Sequence, residues 1–110
     1  MATHGYHGKT LDIDLSTGSS VSTVINEEVL RRHIGGSGLG VRLLLDREAQ
    51  YHDPFDPKST IGFIFSPLVG SPLTTSAKFA VVSRSPLTMR FNDSLASSRF
   101  AINGKRTGHD

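Results

Sequence analysis

The segment from residue 66 to residue 100 contains the residues whose types and spacing favour binding chemistry. Its first part is a loop of small residues, S-P-L-V-G-S-P-L-T-T-S-A, which is followed by a single cation, Lys78. Proline and glycine restrict the backbone of this loop, and its small side chains leave the N–H groups accessible. Exposed N–H groups beside one cation suit an anion such as a phosphate. Most surface loops are only connections, so a plain turn is the alternative.

A glycine-rich segment, G-G-S-G-L-G at residues 35–40, has some features of a dinucleotide-binding loop. The spacing G-x-G-x-x-G is not met, because Val41 occupies the position of the third glycine, and a helix instead of a strand is predicted before it. We interpret the segment as a tight bend between two helices, where Gly36 and Gly38 let a backbone or a ligand come close.

No other set of residues in the sequence predicts catalysis or metal binding. His4 and His7 have no third ligand candidate nearby, whereas a zinc site needs three or four ligands. No serine stands in a recognisable nucleophile motif with a base. The chain contains no cysteine, which excludes disulfides and thiolate-ligated iron–sulfur clusters within it. We therefore predict no catalytic and no metal-ligating residues.

The N-terminal half of the chain is predicted to form a hairpin and two helices. Leu11, Ile13 and Leu15 alternate with acidic residues, which predicts a half-buried strand, and residues 21–25 can return as its partner. Asn26 is the predicted N-cap of a first helix that stops at the glycines. A second helix is predicted from residue 39 to about residue 48.

The C-terminal half is predicted to add further strands. The apolar run at residues 61–65 predicts a strand that is buried on both faces, and residues 79–83 predict another. Residues 89–91 predict a last short strand, after which the pattern fades. The order indicates an α+β fold: a β-rich half-domain with a β-hairpin, two helices joined by a glycine-rich bend, and further strands.

Length and composition indicate one small domain with a lean core. The chain has 110 residues, of which 36% are hydrophobic and none is tryptophan. Because ordering one residue costs roughly 1–2 kcal/mol, we expect the isolated chain to be marginally stable and to leave part of the strand at residues 61–65 uncovered. No apolar stretch approaches the roughly 20 residues of a membrane span, and the N-terminus lacks the apolar core of a signal peptide. A cytoplasmic protein without a membrane partner is the default expectation.

Charge is distributed unevenly along the chain. Residues 1–55 contain five Lys and Arg against seven Asp and Glu, a net charge of −2, and residues 56–110 contain seven against three, a net charge of +4. The later half is therefore the one that would face an anion. Aromatic residues are not interleaved with its cations as base-stacking surfaces require, so no nucleic-acid partner is predicted.

Seven short motifs in the same order resemble the N-terminal part of the tungsten-pterin aldehyde ferredoxin oxidoreductases. They are G-K-T-L-D-I-D-L-S-T-G, I-G-G-S-G-L-G, D-P-F-D-P-K-S, F-S-P-L-V-G-S-P, V-V-S-R-S-P-L-T, N-D-S-L-A-S-S and K-R-T-G-H-D. The resemblance extends from about Gly8 to Asp110. Because chains of that family are much longer, residues 1–110 are interpreted as a truncated N-terminal portion of a pterin-binding domain.

The resemblance implies an enzyme that oxidises a small aldehyde with water to a carboxylate. Electrons would pass from a bis-pterin tungsten cofactor, or its molybdenum counterpart, through a 4Fe-4S cluster to ferredoxin. The cofactor would carry magnesium, and the cysteines of the cluster would lie downstream of this chain. The implied partners are ferredoxin and the remainder of the enzyme, with a homodimer as one arrangement. The chain by itself is expected to be inactive.

The resemblance also implies site residues at matching positions. Lys78 stands where the family has an arginine that contacts a pterin phosphate; lysine keeps the charge but lacks the planar fork. Leu95, Ala96 and Ser97, which we expect to form a turn, align with positions that usually hold asparagine and glycine. There the main-chain carbonyl of the asparagine helps to hold magnesium between two pterin phosphates.

The glycine-rich segment completes the implied cofactor site. Gly36 and Gly38 align with the family segment that lies near the pterin, and Ser37 stands where the family often has arginine. We expect Gly38 and Lys78 to line one cavity from opposite sides. Two alternatives remain open: a non-catalytic phosphate- or nucleotide-binding module that uses the basic later half, and an inactive remnant of the same enzyme.

Overall fold

The computed structural model describes residues 4–110, which form two antiparallel sheets and three α-helices. The elements are, in order, β1 (Lys9–Asp14), β2 (Ser19–Val24), α1 (Glu27–His33), α2 (Gly36–Asp46), a 3-10 turn (Ala49–Tyr51), β3 (Ile61–Phe65), β4 (Lys78–Arg84), β5 (Phe91–Ser97) and α3 (Arg99–Lys105). The strands pair in the orders β1-β2 and β3-β4-β5. The predicted α+β class is confirmed. Within the described residues, no helix is long and apolar enough to cross a membrane.

The β1–β2 hairpin forms where the alternation predicts it, but its burial is the reverse of the prediction. Leu11, Ile13 and Leu15 are 41%, 60% and 91% exposed, whereas Thr10 is buried. The prediction of a half-buried apolar face is therefore wrong for this chain. The polar face of β1 turns toward α2 instead, because the guanidinium of Arg47 pairs with the carboxylate of Asp12.

Helices α1 and α2 follow the hairpin and are separated by only two residues. Asn26 caps α1 as predicted, since its Oδ1 accepts a hydrogen bond from Glu28 N at 2.8 Å. Helix α2 begins at Gly36, three residues before the predicted start. Gly40 explains why glycines are used inside this helix: a Cβ there would lie 2.7 Å from Val82 Cγ2 and 3.0 Å from Ile64 Cγ1. The missing side chain lets α2 pack closely on β3 and β4.

The three-stranded sheet carries α2 on one face. Strand β3 pairs antiparallel with β4, and β4 pairs antiparallel with β5. The prediction that residues 61–65 are buried on both faces is wrong: Ile64 and Phe65 are buried, but Ile61 and Phe63 are 57% and 46% exposed. The reason is that α2 covers one face, while α3 covers only one end of the other. The last strand is also longer than the predicted residues 89–91, and it extends to Ser97.

The face of this sheet opposite α2 carries a cluster of phenylalanines. Phe100 of α3 contacts three rings of the sheet, with centroid distances of 5.8 Å to Phe63, 6.0 Å to Phe65 and 5.0 Å to Phe79. Helix α3 starts at this cluster because Ser98 caps it, accepting a hydrogen bond from Phe100 N at 3.1 Å. Residues 101–110, for which the sequence pattern gave no assignment, thus begin in a helix.

Candidate functional site

The first turn of α2 presents backbone N–H groups that no capping side chain satisfies. Its N-cap residue is Gly35, and no side-chain oxygen accepts a hydrogen bond there. Gly36 has a φ of +54°, and a Cβ built on it would meet no atom within 4 Å. The space in front of the helix is therefore open. Together with the positive end of the helix dipole, it can accept an anionic group.

A concave site of about 360 Å³ lies between the start of α2 and the loop that follows β3. The missing side chain of Gly35 lets the two segments come close, since a Cβ at this position would lie only 2.9 Å from Pro67 Cδ. The loop is held by its own hydrogen bond from Leu68 N to Ser66 Oγ at 3.1 Å and by the buried side chain of Val69. The residues that line the site are Ile34, Gly35, Gly36, Ser66, Pro67 and Leu68.

Lys78 begins β4 at the far end of the same loop. Its carbonyl accepts a hydrogen bond from Ser66 N at 3.4 Å, and its own N–H donates to Ser76 O at 2.8 Å. Its side chain is exposed. Throughout residues 4–110, no carboxylate forms an ion pair with the Lys78 ammonium. The charge that the sequence singled out is thus available to a ligand.

Leu95, Ala96 and Ser97 are the last three residues of β5, so the prediction of a turn is wrong. Across the β4–β5 ladder, Ser97 lies opposite Lys78 and Leu95 lies opposite Ala80. The strand continues because long-range pairing with β4 satisfies its backbone. Leu95 is 74% exposed.

The hydrogen-bond pattern of β5 decides where its carbonyls point. Ser98 N donates to Ala77 O at 3.1 Å, so this pair exchanges hydrogen bonds, and alternate pairs along the ladder do the same. Leu95 and Ser97 belong to the intervening pairs, which do not exchange hydrogen bonds with β4. Their N–H and carbonyl groups face the free edge of β5, where they can contact a ligand or a cation.

A hydrogen bond that sequence reasoning missed connects α2 to β5. Ser37 Oγ donates to Asp93 Oδ2 at 2.6 Å. The two residues are 56 positions apart, and no local pattern signals such a contact. The Asp93 carboxylate neutralises part of the positive potential where it contacts the start of α2 through Ser37. An anion is therefore expected away from Asp93, next to Gly36.

The structure brings part of the predicted set to one end of the three-stranded sheet. Gly36 lines the concave site together with Ser66, Ser66 is bonded to the backbone of Lys78, and Lys78 lies opposite Ser97. Ser66 was missed by sequence reasoning, although its position directly after an apolar strand is one where ligand contacts are common.

Gly38 and Lys78 do not line this concave site, nor do Leu95, Ala96 and Ser97. A Cβ on Gly38 would lie 2.8 Å from the carbonyl oxygen of His33, so this glycine permits the close junction of α1 and α2. A single cavity shared by Gly38 and Lys78 stays a prediction. In the part of the chain described here, no group of three or more His, Asp or Glu side chains is arranged to hold a metal ion.

Comparison of the sequence with known families and proteins gives consistent matches. The family profile described as the aldehyde ferredoxin oxidoreductase N-terminal domain matches residues 10–110. A tungsten-containing aldehyde ferredoxin oxidoreductase of Pyrococcus horikoshii is 36% identical over 84 residues, which are 76% of this chain and 14% of that protein. An aliphatic sulfonate oxidoreductase, WOR-like subunit, of Pyrococcus furiosus is 30% identical over 97% of this chain and 17% of its own length.

The fold is similar to that of a solved structure. The active-site complex BamBC of a benzoyl coenzyme A reductase, in complex with 1,5-dienoyl-CoA, has a chain that superposes with a TM-score of 0.90 at 27% identity. The match covers 97% of this chain and 16% of the other. The chain thus spans between 14% and 17% of the length of these proteins.

Proposed function

Because this chain belongs to the aldehyde ferredoxin oxidoreductase family, whose N-terminal domain it matches over residues 10–110, we propose that it is the cofactor-binding part of a tungsten- or molybdenum-pterin oxidoreductase. The whole enzyme would oxidise a small aldehyde to a carboxylate and transfer the electrons to ferredoxin. The observation that carries the proposal is that the uncapped start of α2 lines a concave site together with Ser66, whose N–H is bonded to the backbone of Lys78, in a chain of this family.

The residues at this end of the sheet fit a phosphate-bearing group. The first turn of α2 offers N–H donors in front of Gly36, where a Cβ would meet no atom. Lys78, which has no ion-pair partner within residues 4–110, adds a cation at the far end of the 66–77 loop. The concave site between α2 and this loop is large enough for a phosphate with part of its attached ring. A pterin cofactor supplies the redox chemistry when bound, and the task of this chain is to bind and orient it.

The edge of β5 is the proposed position of the magnesium contact. Oxygen ligands suit this ion, and a main-chain carbonyl needs no particular side chain. The carbonyl of Leu95 faces the free edge of the strand, so the replacement of the family's asparagine by leucine does not remove it. Ala96 and Ser97 would contact the cofactor through their backbone, and Gly38 would keep the start of α2 accessible.

The remaining parts of the proposed enzyme lie outside this chain. With no cysteine in its sequence, the chain cannot ligate the 4Fe-4S cluster, whose cysteines would come from the remainder of the protein. Catalytic acid–base groups and the ferredoxin contact would also come from there. We place the enzyme in the cytoplasm and allow for a homodimer, both on the basis of family membership.

Titration of the chain with a pterin diphosphate by calorimetry tests the proposal. Lys78→Ala should weaken binding by roughly 1–3 kcal/mol, about 5- to 150-fold, because a charge-assisted hydrogen bond is lost. Lys78→Arg should hold or tighten binding, since the guanidinium matches phosphate in two-point geometry. Lys58→Ala is the matched control, because it removes a charge that is also exposed, from the 53–59 connection, and it should change nothing.

Two other outcomes would favour the alternatives. Equal binding of inorganic pyrophosphate and the pterin compound, with strong salt dependence, would indicate a simple phosphate-binding module. Absence of binding by all versions would indicate an inactive remnant. Equal affinity of the wild type, Lys78→Ala and Lys58→Ala would show that Lys78 is an ordinary surface residue.

A further inference from the structure

A second concave site, of about 440 Å³, lies between the β1–β2 hairpin and the helices α1 and α2. This volume is within the range of roughly 300–1,000 Å³ that is usual for small-molecule sites. Its lining residues are all different from those of the concave site at the start of α2. The phosphate site proposed above therefore does not account for it.

The side chain of Thr10 is buried and points into this second site. Thr10 is 9% exposed, and it lies opposite Thr23 in the β1–β2 ladder. Cross-strand partners, and residues two apart along a strand, direct their side chains to the same face of a sheet. Thr10 therefore shares a face with Thr23 and Asp12, and all three residues line the site.

The Thr10 hydroxyl forms no hydrogen bond within residues 4–110. Thr23, directly opposite, donates its hydroxyl to Asp12 Oδ2 at 3.1 Å instead. The Thr10 oxygen is still reachable, because Gln50 Oε1 is the only side-chain atom of residues 4–110 that is both without a partner and closed to solvent. Buried hydroxyls are normally paired, since an unpaired one costs free energy. The free hydroxyl of Thr10 thus points to a ligand.

Two carboxylates set the charge of the site. Asp12 and Asp46 line it together with one cation, Arg47, so the lining side chains that the structure describes carry a net charge of −1. An ionised carboxylate has about four acceptor positions. Asp12 accepts from Thr23 and Arg47, and Asp46 accepts twice from Arg42. Each carboxylate can therefore accept further hydrogen bonds from a ligand, whereas an anion would be repelled.

The guanidinium of Arg47 is held by the protein. Its Nη2 pairs with Asp12, and its Nη1 donates to Leu43 O at 3.2 Å. The side chain is 29% exposed. Because the carboxylate of Asp12 beside it offsets its charge, Arg47 holds Asp12 in position and is not a free receptor for an anion.

The rest of the lining includes apolar side chains at the edge of the core. Ile25 is buried, and Val29 and Leu43 are partly buried against the same core cluster. All three line the site. A ligand with a short hydrocarbon body would remove this surface from water, which favours binding.

We propose that this second site binds a small aliphatic amine in its ammonium form. An ammonium has three donors and no acceptor, which matches the free oxygen of Thr10 and the free acceptor positions of Asp12. The hydrocarbon would lie against Val29 and Leu43, and Asp46 would add a favourable negative charge. The proposal is independent of pterin binding, because it involves none of the residues assigned to the phosphate site.

Three ligands that share one ring test the charge preference. Cyclohexylamine, cyclohexanol and cyclohexanecarboxylate are added separately to the isotope-labelled chain at neutral pH, and amide shifts are followed by NMR. We expect cyclohexylamine to give saturable shifts at Thr10, Thr23 and Leu43. Cyclohexanol should bind at least about fivefold more weakly, because it cannot form a charge-assisted hydrogen bond. The carboxylate should give no saturable shift.

Thr10→Val separates a ligand contact from a structural role. Valine has nearly the same shape as threonine but no hydroxyl, so the affinity for cyclohexylamine should fall about 3- to 10-fold. The urea midpoint should stay or rise, since no internal hydrogen bond is lost. Thr74→Val, at an exposed threonine outside the site, is the matched control and should change neither quantity. Lys78→Ala should also leave amine binding unchanged.

Asp46→Asn tests the charge of the site. It removes one of the two carboxylate charges and keeps the size of the side chain. Asp46 and its partner Arg42 are both 43% exposed, so the fold should be retained. The affinity for cyclohexylamine should then fall toward the affinity for cyclohexanol.

Three results would overturn the proposal. Equal affinities for the three ligands, or a preference for the carboxylate, would show that the site does not select a cation. Unchanged amine affinity in Thr10→Val, or loss of stability in that variant, would show that the hydroxyl is a structural group. Saturable shifts at Phe63 and Phe100, without shifts at Thr10 and Leu43, would show that the ring binds the exposed phenylalanines instead.

Discussion

Several carboxylates form ion pairs within residues 4–110, and the side chain of Asp110 is the one whose removal should lower the free energy of unfolding most. Asp110→Ala leaves the ammonium of Lys105 without a partner in an environment where its side chain is 9% exposed. It also leaves the N–H groups of His7 and Gly8 without their acceptor.

The magnitude follows from burial. Breaking a buried ion pair by removing one partner costs about 3–5 kcal/mol, because the remaining charge is uncompensated. A domain of this size melts about 4–8 °C lower for each kcal/mol lost, so the melting temperature should fall by roughly 12–40 °C. The total stability of a small domain is only about 5–15 kcal/mol. A parent at the low end would therefore keep only about 0–2 kcal/mol of unfolding free energy in this variant.

Urea unfolding followed by circular dichroism measures this loss. The matched control is Asp46→Ala, which breaks a pair of similar chemistry on the surface: Arg42 Nη2 lies 2.9 Å from Asp46 Oδ1, and both side chains are 43% exposed. That variant should lose less than about 1 kcal/mol. Adding Lys105→Met to Asp110→Ala should recover part of the loss by removing the unpaired charge. Equal, small losses for Asp110→Ala and Asp46→Ala would refute the reasoning.

Two further predictions concern packing and pH. Gly40→Val should destabilise the chain by about 1–3 kcal/mol, because its side chain would overlap Val82 and Ile64; an unchanged urea midpoint would contradict the close packing of α2. Burial, and after it the negative charge of Asp110, raises the pKa of Tyr6 above its ordinary value of 10.0. The folded chain thus keeps this proton to higher pH than the unfolded chain, so the contribution is complete below about pH 10 and is lost as the pH rises through the raised pKa. Tyr6→Phe should make the decline of the unfolding free energy between about pH 10 and 12 shallower, and identical declines in urea titrations would disprove this role.

Local patterns predicted the elements of the N-terminal half well, but not which of their faces are covered. The alternation of Leu11 and Ile13 with acidic residues fixes a strand, because side chains of a strand point alternately to two sides. It does not say where a helix will pack. The pairing of Arg47 with Asp12, 35 positions away, brings α2 to the polar face. The apolar face stays exposed within this chain.

Tertiary contacts also decided the limits of α2 and β5. Glycine is a poor helix former, so the glycine-rich segment predicted a bend; packing of Gly40 against Val82 extends the helix through it. The segment N-D-S-L-A-S-S carries little strand propensity, yet it pairs along its whole length with β4. Strand formation depends on such partners more than on composition.

The candidate site was predictable only in its local part. Lys78 was identified from its place after a loop of small residues, and its side chain is exposed and forms no ion pair within residues 4–110. The contacts that assemble the surroundings, from Ser66 to the Lys78 backbone and from Ser37 to Asp93, join residues that are distant in sequence. The assignment of Lys78, Leu95, Ala96, Ser97, Gly36 and Gly38 to the cofactor stays a prediction.

Mapping of a pterin diphosphate on the chain by NMR tests the central proposal most directly. If the start of α2 and the adjacent end of the sheet bind the phosphates, the amide signals of Gly36, Lys78 and Ser97 should shift together and saturate with one affinity. The signals of Lys58 and the surrounding connection should not move. Shifts confined to the cations at the two ends of α3, Arg99 and Arg106, or no saturable shift at Gly36 and Lys78, would contradict the account.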